Sequence, residues 1–305
     1  MEKNHLSEYQ FPKIDLLNEH IEDANIHNSS FVPMRSLIAP KELDLPIAVG
    51  QTTFNENLMI DLSKRSGIII AGNAIERTMG INTLLISLLY SIHPSQLKFV
   101  LVDTQKTELS AYNKIDRQFF AKLPNEDNAA VINDVSKAVK ALDSLCVEME
   151  RRYDLFKEAK VRNIKEYNKC VANSELNSQQ QPLPFIVLVI SEFADLVMTV
   201  GEEAENPVYR LAQLSKAVGI HLIVASARPS VNVFKETTKQ VFNTFMAFRV
   251  APKTILKPKK ANQLNGKGKF FLLEENSKTC LQCGFLDTTE ISNILEFIGN
   301  QKITS

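Results

Sequence analysis

The chain has 305 residues, 44% hydrophobic and 23% charged, enough to bury one large core or two small ones. Lys+Arg and Asp+Glu both number 35, so no global basic excess points to nucleic acid, and any DNA contact has to come from a local patch. No apolar run approaches a membrane span and residues 1–5 are too polar for a signal-peptide core, so a cytoplasmic, reduced protein without membrane contact is expected.

Residues 1–44 are polar, carry Pro12, Pro33 and Pro40, show no strong period, and read as an N-terminal extension. From Leu45 the pattern changes, and residues 45–305 read as one domain. Aliphatic, β-branched runs at 67–71, 97–103, 185–190 and 221–225 predict buried strands. Helical patterns lie between them at 81–92, about 129–159, 164–171 and 204–218. This alternation predicts an α/β fold, a mostly parallel sheet with helices on both faces. Ligands of such sheets sit beyond the carboxyl ends of the strands, so chemistry is expected just after Ala71, Asp103, Ile190 and Ala225.

Residues 173–182 are polar and read as an exposed loop. Near the end, Lys253, Lys257, Lys259, Lys260, Lys267 and Lys269 share a loop with Pro252, Pro258, Gly266 and Gly268. A solvated loop is the plain interpretation and a DNA-binding patch at Lys257, Lys259 and Lys260 the sharper one. Cys280 and Cys283 form a lone pair without the second half of a zinc site, and residues 279–285 alternate as a strand would, with Cys280 and Cys283 on opposite faces; no metal site is expected. His5, His20, His27, His93 and His221 are dispersed, and no nucleophile elbow or His-Glu-x-x-His is present.

Several long segments fall in the order of one family. They include Met149-Glu150-Arg151-Arg152-Tyr153, Val161-Arg162-Asn163-Ile164-Lys165-Glu166-Tyr167-Asn168, Ser191-Glu192-Phe193-Ala194-Asp195-Leu196 and Gly219-Ile220-His221-Leu222-Ile223-Val224-Ala225. From about Leu45 to Gly299 the chain resembles the motor domain of FtsK/SpoIIIE DNA translocases, in wording close to their Bacteroidetes branch. The resemblance implies a RecA-like P-loop NTPase fold, ATP and Mg²⁺ as cofactors, and a homo-oligomeric ring around double-stranded DNA linked to chromosome segregation. Full translocases also have membrane spans, a preceding subdomain and a following winged helix; residues 1–44 are too short for the second, and no winged helix is expected before Ser305.

At the strand ends the family's nucleotide motifs are altered. A loop of the form G-x-x-x-x-G-K-[ST] wraps phosphates in backbone N–H groups, with Lys on the phosphates and the hydroxyl on Mg²⁺. Here the run is Gly72-Asn73-Ala74-Ile75-Glu76-Arg77-Thr78-Met79-Gly80, one residue short, with Arg77 at the lysine position, Glu76 beside it and Thr78 retained. Arg is not a geometric substitute for Lys, and a carboxylate repels a nearby polyphosphate by about 1 kcal/mol or more. Ser191 stands where the family has the metal-orienting Asp, Glu192 keeps the family's catalytic carboxylate but equally suits the start of a helix, and Ala227 replaces the γ-phosphate-sensing Gln. The family's Asp-Ser-Arg before Thr-Ile-Leu is missing, since Lys253 directly precedes Thr254. A pseudo-ATPase is expected, one that meets DNA or an intact translocase ring; an active ATP-dependent translocase is the alternative.

Overall fold

The computed structural model describes residues 9–18, 32–38, 42–106, 109–122, 131–175, 179–227, 229–230, 233–234, 236–249, 264, 266–275 and 277–301. Its strands are β1 Val32–Pro33, β2 Pro46–Thr52, β3 Asn57–Asp61, β4 Gly67–Ala71, β5 Leu97–Val102, β6 Phe185–Ile190, β7 Ile220–Ser226, β8 Thr244–Ala247, β9 Lys269–Glu274, β10 Ser277–Gln282 and β11 Gly284–Phe285. The α-helices are α1 Met34–Leu37, α2 Ala74–Ser91, α3 Asp116–Phe119, α4 Val135–Ala159, α5 Ile164–Ala172, α6 Phe193–Val200, α7 Glu202–Leu214, α8 Glu236–Val241 and α9 Thr288–Gly299.

Nine strands form one sheet in the order β3-β2-β10-β9-β8-β4-β7-β6-β5. The half from β8 to β5 is parallel, as expected where helical crossovers connect apolar strands. The other half is antiparallel and was not foreseen as a sheet extension. Helices cover both faces: α2 and α9 pack on one side with Ile68, Ile70 and Phe99, while α4 to α7 pack on the other with Ile69, Val100 and Leu188. The register aligns the carboxyl ends, with Ala71 beside Ser226 and Ala247, and Val102 beside Ile190. Loops leaving these ends therefore converge, which sets the place of the site.

Three boundaries differ from the expected ones, each for a local reason. Helix α2 begins at Ala74 rather than Ile81, because Asn73 caps it. Helix α4 begins at Val135 after the Asp134 cap, since Ile132 is bridged to Val102 at the sheet edge. Helix α7 ends at Leu214, and Gly219, at φ 77, brings the chain into β7. The described part of the stretch read as an extension packs into the core: Tyr9, Leu17, Val32, Met34 and Leu37 are buried, and β1 pairs with β11. Cys283 lies in one core with Leu281 while Cys280 packs against the other, the opposite-face placement that strand alternation gives. Burial pushes the Cys283 thiol up to about 12, so it stays protonated.

Candidate functional site

The sequence around the end of β4 folds into a helix start, with only Gly72 and Asn73 between Ala71 and α2. Asn73 Oδ1 accepts the Glu76 N–H at 3.1 Å, and Glu76 Oε2 accepts the Asn73 N–H at 3.1 Å, a reciprocal cap. These two N–H groups of the turn are thereby satisfied within the chain. Burial raises the Glu76 carboxyl above the usual carboxylate range, opposed by hydrogen bonds from the Asn73 and Arg249 backbones. Gly72 is closely packed: a Cβ there would meet Glu76 Cβ, Glu76 Oε2 and Phe248 Cβ at 3.0 Å, so these neighbours would have to give by a few tenths of an ångström.

Arg77, in the first turns of α2, turns inward, and its side chain is 3% exposed. Its Nε donates to Ser191 O at 3.1 Å, and its Nη1 donates to Gly72 O at 3.3 Å and lies 3.2 Å from Glu192 Oε2. Glu192 is the N-cap of α6, with a side chain 5% exposed. Its Oε1 accepts the Ala194 N–H at 3.1 Å and its Oε2 the Ala227 N–H at 3.0 Å. Ser191 Oγ donates to Asp103 Oδ1 at 2.9 Å, and Asp103 Oδ2 accepts the Leu109 N–H at 2.9 Å. The Gly72 N–H donates to Ser226 O at 3.3 Å and ties β4 to β7 at the same level.

Residues 36–231, more than half of the chain, match the model of the FtsK/SpoIIIE family. The chain belongs to the FtsK/SpoIIIE family. It is 39% identical over 284 residues to the DNA translocase FtsK of Chlorobaculum tepidum, covering 88% of this chain and 34% of that protein. The DNA translocase FtsK of Staphylococcus aureus is 33% identical over 272 residues, 86% of this chain and 33% of that one. The chain thus spans about a third of the length of these relatives. Among solved structures, the pCW3 conjugation coupling protein TcpA in its monomer form with ATPγS aligns at a TM-score of 0.69 with 24% identity, over 86% of this chain and 76% of that one. The cytoplasmic domain of the type VII secretion ATPase EccC of Thermomonospora curvata aligns at 0.69 with 18% identity, over 88% and 33%. The fold is accordingly that of the RecA-like P-loop NTPases.

Of the residues that the FtsK/SpoIIIE resemblance singles out, the structure brings Gly72, Arg77, Ser191, Glu192 and Ala227 into one cluster at the ends of β4, β6 and β7. Thr78 is a neighbour in sequence whose hydroxyl donates to Ala74 O at 2.9 Å, within α2. Lys257, Lys259 and Lys260 lie outside the described residues, as does Lys253. Sequence reasoning missed two participants. Glu76 registers in the sequence as a misplaced charge, although Asn73-x-x-Glu76 is the spacing of a capping box. Asp103 is the buried partner of Ser191, and only the pairing of β5 with β6 brings them together. Among the described residues no group of three His, Cys, Asp or Glu side chains could hold a metal ion, and no helix is long and apolar enough to cross a membrane.

Proposed function

We propose that this chain is a translocase-type domain that engages double-stranded DNA as part of a family ring, in the cytoplasm and in the service of chromosome segregation, without turning over ATP. The observation that carries the second half of this reading is the buried contact of Arg77 with Glu192. A carboxylate that polarises attacking water has to face that water, whereas both oxygens of Glu192 are taken by backbone N–H groups and one also by a guanidinium.

The residues present do not fit Mg²⁺-ATP at the end of β4. A phosphate cradle needs several inward backbone N–H groups, and the two-residue turn spends its Asn73 and Glu76 donors on its own cap. A metal seat needs a carboxylate at position 191; the Ser191 hydroxyl instead serves Asp103. Ala227 has no polar side chain for a γ-phosphate, and its N–H serves Glu192. Phosphoryl transfer draws on phosphate grip, metal seat and sensor together, so their joint loss leaves DNA or ring binding as the retained property.

ATP turnover by the purified chain, with and without duplex DNA, tests this directly. No DNA-stimulated hydrolysis above background is expected. Turnover in the ordinary enzyme range of about 1 to 10³ per second, abolished by Glu192→Gln, would sink the reading and leave an active ATP-dependent translocase in its place.

A further inference from the structure

Strands β4 and β6 are not neighbours, because β7 lies between them. Arg77 and Glu192 nevertheless join all three ends. The guanidinium, carried by α2, reaches Gly72 O beyond β4 and Ser191 O beyond β6. The carboxylate, carried by the start of α6, reaches the Ala227 N–H beyond β7 and meets the guanidinium 3.2 Å away. At 3–5% exposure neither charge has much water to solvate it, whereas the two lie 3.2 Å apart and are hydrogen-bonded on both sides. Beside them the Glu76 carboxylate accepts the Asn73 N–H, and Gly72 is packed against it.

We infer that the Arg77–Glu192 pair is an internal strut that takes the place of a bound ligand, fixing the ends of β4, β7 and β6 in one arrangement that neither needs nor responds to nucleotide. The inference deepens the reading above and rests on it only in taking nucleotide as the ligand replaced. Its consequence is a domain with a single conformation at the strand ends, unlike a site that opens and closes with its ligand. Because the two charges face each other at 3.2 Å in the interior, removing one exposes the other to the same loss, so they act as a unit, which an ordinary packing contact does not.

Thermal unfolding of the whole chain tests the strut. Arg77→Met and Glu192→Gln should each lower the midpoint by about 5–15 °C, and the double variant should melt no lower than the worse single one. Millimolar Mg²⁺-ATP should leave the wild-type midpoint unmoved. Losses that add in the double variant, or a wild-type midpoint that rises with Mg²⁺-ATP, overturn the inference. Should a variant fail to fold, the wild-type protein still decides: the Arg77 Nε–H resonance, assigned by through-bond experiments on uniformly labelled protein, should exchange with water at least about tenfold slower than exposed arginines and keep its position with Mg²⁺-ATP. Rapid exchange or a shifted position counts against the strut. ATP turnover in the same preparations separates the two ideas, since hydrolysis alongside non-additive losses and an unmoved midpoint would remove the previous reading and leave the strut standing.

Discussion

His221 lies in the buried run of β7, where its ring nitrogen Nδ1 donates to Arg65 O at 2.8 Å and Nε2 is buried without a hydrogen-bond partner. The carbonyl can only accept, so the proton sits on Nδ1 and the neutral ring presents an unused lone pair. Burial depresses its pKa from 6.5 to about 4; the Arg65 carbonyl and Asp61 oppose the shift, and Lys216 and Arg152 assist it. The unfolded chain therefore takes up a proton first as pH falls. Stability is full above about 6.5, is lost as pH falls toward about 4, and the loss levels off below that, where the folded ring protonates as well. Urea unfolding should show about 2 kcal/mol less stability at pH 5 than at pH 7 from this group, and His221→Leu should remove that difference while lowering stability at both pH values. An unchanged pH difference in the variant would assign the effect to other groups. The same rule, that burial fixes the chemical state, keeps the Cys283 thiol protonated, its pKa pushed up to about 12.

Helix α2 decides what the end of β4 can do, and its start depends on a few tenths to a few kcal/mol of capping. Asn73→Ala removes the side-chain acceptor of the reciprocal cap and should cost about 0.5–2 kcal/mol in chemical denaturation, whereas Asn73→Asp should cost much less. Equal losses for both would mean that Asn73 acts through something other than its cap. This element also shows what was legible in the sequence. Strands β4 and β6 were read to the residue, because aliphatic, β-branched runs that are buried on both faces have few other uses. The α2 start was not, because the family's loop spacing competes with the Asn73-x-x-Glu76 signal over the same residues, and only the tertiary setting of Glu76 against Gly72 decides between them. Residues 9–18 and 32–38 were illegible for another reason. Their buried side chains, Tyr9, Leu17 and Met34, follow no helical or strand period, and their anchors lie far away in sequence, as when the Asn18 N–H donates to Glu290 Oε1. Strands β8 and β9 escaped notice because they pair across a long separation in sequence, and β2 and β3, a local hairpin, because the register shift between Ala48 and Gly50 interrupts the alternation that marks a strand.

Across the whole molecule, family membership and fold rest on the scaffold, while the proposed loss of ATP turnover rests on a handful of side chains at one end of one sheet. The chain's formal charge is balanced, so on the proposed reading DNA affinity has to come from clustered lysines and not from the overall field. The densest such cluster is Lys257, Lys259 and Lys260, within a run from Lys253 to Lys269 that contains two glycines and one proline but no aromatic residue before Phe270. Without aromatic side chains to stack on bases, such a run contacts phosphates, and phosphate contacts carry no sequence information. Binding to duplex DNA should therefore be insensitive to sequence and fall steeply with salt, by a slope of about −0.9 in log K against log salt for each phosphate neutralised. Replacing Lys257, Lys259 and Lys260 together with Gln should weaken binding and make that slope shallower by up to about 3, leaving the thermal midpoint unchanged if the three side chains serve only DNA. Fluorescence anisotropy across a salt series checks this. An unaltered slope in the triple variant would take the lysines out of the account, and a marked preference among duplexes of equal length would require a base-reading element that the lysine run does not provide.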